Sequence, residues 1–380
     1  MGPVETTRIE DMARSRIGLV VVAVVILFCE RVTAAPSTRM VLARETDGST
    51  ITIYGSGFGT RSRPGPLKWD DFENAAPDEP LANRGWFVGD GKPGPVHSSA
   101  RSHSGKQAAR FSYLRGAYGD NALLRDMKAQ EIYLSYWVYL DRLAGEQSRN
   151  IKLGYLSTTT PNGDWLHGTP QFQVNRFYHS SQGRSEGMYI QNSAYPFEDG
   201  NVVYFPDGYL FEEGMWHRIE MYLKLGSPDI ANGKRGFWYN KLRVSHPKID
   251  DNACMTLEST STKPFIENVL LGNYVAHDPG GDYALYYDDV YVDTTQARVE
   301  LCDTPTWPDG KIVAHCEIQV PISWTDGSIT FKPNLGTLSD KSELYVYVID
   351  GSGDANVAGH PLCIDCGRHP RAPTGLRFRY

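Results

Sequence analysis

The sequence predicts an all-β protein: a two-layer sandwich with a smaller β-module beside it. Three observations carry this. Apolar residues alternate or cluster in short runs broken by Gly, Pro, Asn and Asp, the strand-and-turn pattern. Aromatic residues make up 12% of the chain, with 22 Tyr against 14 Phe and 8 Trp, which suits pleated surfaces and sugar-stacking faces better than helices. Very little of the chain beyond residue 35 repeats with a helical period. A length of 380 residues accommodates one large domain and a small one.

Residues 1–35 read as a secretory signal. Arg14 and Arg16 precede a 13-residue apolar run over residues 17–29, and the small residues of Val32-Thr33-Ala34-Ala35 follow it. Such a run is shorter than the about 20 residues a bilayer core requires, so no membrane association is expected once the signal is cleaved. An uncleaved N-terminal anchor is the alternative. Cleavage removes four Arg and four acidic residues, so the net charge stays at −7. That acidic balance argues against nucleic acid as a partner, because backbone binding needs a basic patch. A secreted location permits disulfides among Cys254, Cys302, Cys316, Cys363 and Cys366. Cys302 with Cys316 and Cys254 with Cys302 both close plausible loops. Cys363-x-x-Cys366 is half of a zinc motif without a second pair.

Along the mature chain, residues 36–66 hold one strand and a linker. Thr50-Ile51-Thr52-Ile53-Tyr54 runs into Gly55-Ser56-Gly57-Phe58-Gly59, which resembles the opening strand of IPT/TIG domains over about 20 residues. Residues 61–66 are a Pro/Gly/Arg linker. Trp69-Asp70-Asp71-Phe72-Glu73 opens the main domain, residues 67–300. Strands are expected there at 107–113, 132–140, 151–156, 171–178, 187–191, 217–225, 236–239, 268–272 and 285–292. Nine strands of this length make a jelly-roll, concanavalin A-like β-sandwich. Residues 301–366 form a C-terminal β-module, with which the N-terminal strand is placed to pack, and 367–380 a tail.

Strand alternation sorts the chemistry, since successive side chains point to opposite faces. In residues 216–225, Ile219, Met221, Leu223 and Leu225 are apolar, whereas Arg218, Glu220, Tyr222 and Lys224 form a wet face. Arg218 and Tyr222 are substrate-binding candidates there, with a solvated exterior as the alternative. In residues 171–178, Gln171, Gln173 and Asn175 share one face, a ladder of amides that can bind sugar hydroxyls or a carboxylate. Tyr189 and Gln191 share a face of the next strand. Lys152 is a lone charge among apolar neighbours.

The order of these pieces, Lys152-Leu153-Gly154, the amide strand, the Tyr189 strand, Gly214-x-Trp216-His217-Arg218-Ile219-Glu220 and Asn232-Gly233 ahead of Phe237-Trp238, resembles the family-14 polysaccharide (alginate) lyases over about 100 residues. The resemblance implies a sandwich that binds an anionic polysaccharide. β-Elimination there needs a carboxylate neutraliser, a base and an acid. It implies Lys152 as a basic cleft residue, Gln173 and Asn175 as neutralisers and Tyr189 as acid or base. Gln171 and Gln191, by the parity of their own strands, are substrate-binding candidates beside them. This chain departs from the pattern in two places. A Ser-x-Arg pair becomes Gln and Asn, and Tyr-x-Tyr becomes Tyr189-Ile190-Gln191; His179 is a substitute base. A non-catalytic, lectin-like or adhesive glycan binder therefore stays open. So does a glycoside hydrolase, although its paired carboxylates are represented only by Glu212-Glu213 in a turn. No cofactor is required for elimination. Asp289, in Tyr287-Asp288-Asp289, and Glu73 match the pair of acids that commonly holds a structural calcium in carbohydrate-binding sandwiches.

Overall fold

The computed structural model describes residues 35–43, 50–88, 94–113, 121–141, 149–157, 171–179, 184–192, 202–204, 211–244, 256–257, 259, 264–272, 275–276, 283–340 and 343–362. Residues 1–34 of the signal segment, the C-terminal tail, Cys254, Cys363 and Cys366 lie outside them. Among the described residues no helix is long and apolar enough to cross a membrane.

In chain order the strands are β1 (Ser37–Ala43), β2 (Ile51–Ser56), β3 (Lys68–Asp70), β4 (Val96–Ser98), β5 (Ala108–Tyr113), β6 (Asn121–Leu124), β7 (Glu131–Leu140) and β8 (Arg149–Ser157). There follow β9 (Gln171–His179), β10 (Arg184–Asn192), β11 (Val202–Tyr204), β12 (Trp216–Lys224), β13 (Lys234–Tyr239), β14 (Leu242–Arg243), β15 (Asn268–Gly272) and β16 (Val275–Ala276). The last are β17 (Tyr283–Asp293), β18 (Arg298–Cys302), β19 (Cys316–Trp324), β20 (Ser328–Lys332), β21 (Leu344–Ile349) and β22 (His360–Leu362). All nine strands expected from alternation are present within one to three residues at each end.

These strands form three antiparallel sheets, two of which make the jelly-roll sandwich. A central sheet runs β14-β13-β12-β7-β17-β5-β4, with β3 added beside β17. A front sheet runs β11-β10-β9-β8-β15-β6, with β16 paired to β8. Their facing residues form one core. Ile132, Leu134, Tyr136 and Val138 of β7 and Ile219, Met221 and Leu223 of β12 meet Ile151, Leu153, Val174, Met188 and Val269 of the front sheet. Burial of each such side chain contributes about 1.5–3 kcal/mol, which explains why the period-two pattern specifies the register.

The third sheet, β1-β2-β20-β19-β18-β21-β22, joins the N-terminal hairpin to the C-terminal segment. Ile51 and Ile53 pair with Phe331 and Ile329 across β2 and β20, and all four lie in one apolar cluster. The N-terminal strand and the C-terminal module are thus one sheet. The link between them and the sandwich is not a free linker, because Arg61 is buried in an ion pair with Asp293 and donates from Nη1 to the Ala297 carbonyl at 2.8 Å.

This sheet covers most of the face of β12 that alternation marks as wet: Arg218, Glu220 and Tyr222 are buried, and Lys224 at the strand end is exposed. Arg218 is 1% exposed. Its guanidinium donates to Glu300 at 3.0 Å, to Glu220 at 3.2 Å, to the Cys316 carbonyl at 2.6 Å and to Ser135 at 3.2 Å. Lys241 joins Glu300 at 3.0 Å, and Arg298 joins it at 2.6 Å. Tyr133, Tyr222 and Tyr291 pack with Ile318 beside this network. Arg218 and Tyr222, the substrate-binding candidates of this strand, are therefore buried where the central sheet meets the C-terminal sheet. Burial alone would neutralise these groups, but the opposed charges keep the carboxyl of Glu300 well below its ordinary range.

Candidate functional site

The outer face of the front sheet, opposite the core, brings the sequence candidates into rows. Register pairs Lys152 with Asn175, Asn175 with Tyr189, and Tyr189 with Tyr204. The next row is Tyr155, Gln173, Gln191 and Val202, and Ser157 pairs with Gln171. Val174 and Met188, of the opposite parity, are core residues. Directly paired positions share a face. At a strand spacing of about 4.8 Å, the row from Lys152 to Tyr204 extends about 14 Å across four strands.

A bulge gives this face its first column. The register of β8 against β9 shifts between Lys152 and Gly154, so that Lys152 and Tyr155, three residues apart, both lie on the side opposite the core, Tyr155 fully buried there, while Ile151, Leu153 and Leu156 stay in the core. Gly154 is required at the shift, because a Cβ there would stand 2.4 Å from the Tyr136 hydroxyl. The ammonium of Lys152 lies 5.2 Å from the centre of the Tyr155 ring. Loss of water around this half-buried group pushes its pKa down to about 8.

The remaining candidates are dispersed. His179 ends β9 and pairs with Arg184, four residues and about 13 Å along the strand from Asn175. Arg176 pairs with Met188, on the core-facing parity. Glu212 and Glu213 are exposed in the turn before β12. Tyr155 and Tyr204 were not singled out from sequence. Val202-Val203-Tyr204 is too short a run to read as a strand, and only the bulge brings Tyr155 beside Lys152.

Glu73 and Asp289 converge on one loop, residues 103–107, between β4 and β5. Glu73 Oε1 accepts from the backbone N–H groups of Lys106 and Gln107, both at 2.6 Å. Asp289 Oδ1 accepts from the Ser104 hydroxyl at 2.9 Å, and its Oδ2 lies 3.0 Å from His103 Nδ1. Asp288 Oδ2 accepts from the His103 and Ser104 N–H groups at 2.7 and 3.1 Å. A bulge in β17 between Asp288 and Tyr291, with Asp289 at φ 48°, turns both carboxylates toward the loop. Burial and the neighbouring Asp289 raise the Asp288 carboxyl well above its ordinary range. The carboxylates of Glu73 and Asp289 are thus engaged by the loop itself, at different points along it.

No protein-family model and no curated protein matches the chain. Solved structures similar to it include the alginate lyase Aly36B, at 15% identity over 61% of this chain and 98% of that one, with a TM-score of 0.44. An endo-β-1,4-glucuronan lyase from the fungus Trichoderma reesei is 17% identical over 60% and 96% of the two chains, TM-score 0.40. The alginate lyase vAL-1 from Chlorella virus is 13% identical over 60% and 99%, TM-score 0.40.

Proposed function

We propose that this is a secreted carbohydrate-active protein that binds an anionic polysaccharide across the front sheet and cleaves it by β-elimination. The observation that supports this reading is the cross-strand row Lys152, Asn175, Tyr189 and Tyr204. Register places a lysine, an asparagine and two tyrosines at directly paired positions on neighbouring strands. Asn175, with Gln173 in the next row, hydrogen-bonds the C6 carboxylate of a uronate and so acidifies the C5 proton. Lys152, with a pKa of about 8, is neutral in a sizeable fraction at mildly alkaline pH and takes that proton. Tyr189, two strands and about 10 Å away, donates its phenolic proton to the departing O4 as the C4–O bond breaks and the C4–C5 double bond forms. Gln171 and Gln191 bind neighbouring sugar units. Tyr204 is the second phenol that the Tyr189-Ile190-Gln191 strand lacks.

A non-catalytic glycan binder on the same face is the competing reading, favoured by the placement of Arg176 on the core-facing parity, which leaves the row without a guanidinium. Incubation with alginate, glucuronan and neutral glucans, following the ultraviolet absorbance of unsaturated products, separates the two. Product from a uronate polymer that Tyr189→Phe abolishes is expected. Retention on a polyuronate affinity gel with no absorbance change on any uronate would leave binding alone.

A further inference from the structure

Where the central sheet meets the C-terminal sheet, the geometry points to a site for one divalent transition-metal ion of the zinc class, held by His103, His315 and Glu317. Their three ligand atoms lie within 4.8 Å of one another. The inference is independent of the glycan-cleaving function, since none of the three belongs to the front sheet.

Lone pairs drive the argument. His103 is buried, with a side chain 1% exposed. Its Nδ1 sits 3.0 Å from Asp289 Oδ2, and a carboxylate only accepts, so Nδ1 carries the proton. In the neutral ring Nε2 is then a bare lone pair. That Nε2 makes no hydrogen bond and is directed at another carboxylate oxygen, Glu317 Oε1, 3.5 Å away. A buried ring nitrogen without a hydrogen bond thus stands beside a buried carboxylate oxygen, and a cation between them would engage both. His315 Nε2 approaches the same Glu317 oxygen at 2.7 Å.

The surroundings match those of a metal centre. Asp289 orients His103 through the far ring nitrogen, and Trp137 Nε1 donates to Glu317 Oε2 at 3.2 Å, leaving Oε1 for the ion. Trp137 also stacks on the His103 ring at 3.9 Å, fixing its plane. Gly336, at φ 48°, leaves the space that Oε1 occupies, since a Cβ there would stand 2.5 Å from it. The Thr337 hydroxyl, 3.0 Å from His315 Nε2, borders the open side. Two imidazoles and one carboxylate select zinc or its neighbours over calcium and magnesium, which take oxygen ligands. Tetrahedral zinc at about 2.1 Å needs ligand atoms about 3.4 Å apart; His103 Nε2 and Glu317 Oε1 already stand at 3.5 Å, whereas His315 Nε2 must draw back from its 2.7 Å contact with that oxygen. His103 precedes β5 of the central sheet, whereas His315 immediately precedes β19 of the C-terminal sheet and Glu317 lies in it. The ion would join the two.

The test uses tag-free mature protein stripped with EDTA and titrated calorimetrically with zinc chloride. His315→Ala and Glu317→Gln are titrated in parallel, after circular dichroism confirms that they fold. One zinc ion per chain is expected, with at least about a 100-fold loss of affinity in each variant and a higher melting temperature for zinc-loaded wild type only. Calcium chloride should give neither heat nor shift at this site. Cobalt titration, with visible bands of a tetrahedral N/O site lost in whichever variant folds, covers the case in which the other does not. No zinc uptake by folded wild type, or uptake unchanged in both variants, would overturn the assignment.

Discussion

Arg218 of the central sheet and Glu300 of the C-terminal sheet meet at 3.0 Å with both side chains at most 1% exposed. Glu300 also holds Lys241 and Arg298, so it is one of two carboxylates, with Glu220, opposing three cations. Glu300→Gln should destabilise the protein by about 3–5 kcal/mol, because it leaves buried positive charge uncompensated. Urea denaturation measures this. A change below about 1 kcal/mol would show that water reaches the network.

Lys152→Met should stabilise the protein at pH 7 while abolishing cleavage. Burial holds the lysine's pKa at about 8, below its ordinary 10.5, so its burial as a cation costs about 1–3 kcal/mol after allowance for residual solvent. The sign is checked by pH. Between about 8 and 10.5 the unfolded chain binds the extra proton, so wild-type stability rises relative to the variant across that window. Below about 8 the difference is constant. In the wild type, kcat/KM should rise with pH through an inflection near 8.

Substitutions on the front sheet should grade by role within the Lys152–Tyr204 row and by distance from it. Tyr189→Phe is expected to lower kcat by at least about 100-fold and Tyr204→Phe by about tenfold, as for an acid and its neighbour. His179→Ala, about 13 Å along the strand from Asn175, should leave kcat within a factor of two. Steady-state rates on the active polymer read all three, and an inactive His179→Ala would move the centre toward the strand end.

The Cys302–Cys316 disulfide closes a sequence separation of 14 residues. Opening it in a Cys302→Ala/Cys316→Ala double variant should cost about 2–3 kcal/mol, chiefly by freeing the unfolded chain. The melting temperature with and without reductant measures the effect in the wild type, and the variant should be insensitive to reductant.

Much of this fold is written in period two. In β7, Ile132, Leu134, Tyr136 and Val138 alternate without interruption, and so do Ile219, Met221 and Leu223 in β12, so strands and core face follow from sequence. Alternation does not say what covers the second face. Arg218 and Glu220 look like solvated residues because Glu300, which compensates Arg218, is 82 positions away. Bulges defeat the same arithmetic locally. The shift at Leu153 places Tyr155 with Lys152, and the one after Asp288 sends two adjacent carboxylates to the same loop. The row Lys152, Asn175 and Tyr189 was legible in part, since the parity of each strand was clear. Its register, and with it Tyr204, depends on pairing between segments that no local pattern encodes.

The charge network behind β12 also bears on how this protein can be handled and on how it diversifies. An apolar seam tolerates a missing partner only by exposing grease. A seam holding Arg218, Lys241 and Arg298 against Glu220 and Glu300 strands like charges when it is cut. A fragment ending at residue 297 would keep two of the three cations and lose Glu300, and would open Tyr133, Tyr222 and Tyr291 to water. The C-terminal sheet is therefore not an interchangeable appendage. Truncation libraries and domain-swap chimaeras should be cut elsewhere, and sandwich and module are expected to melt in one transition.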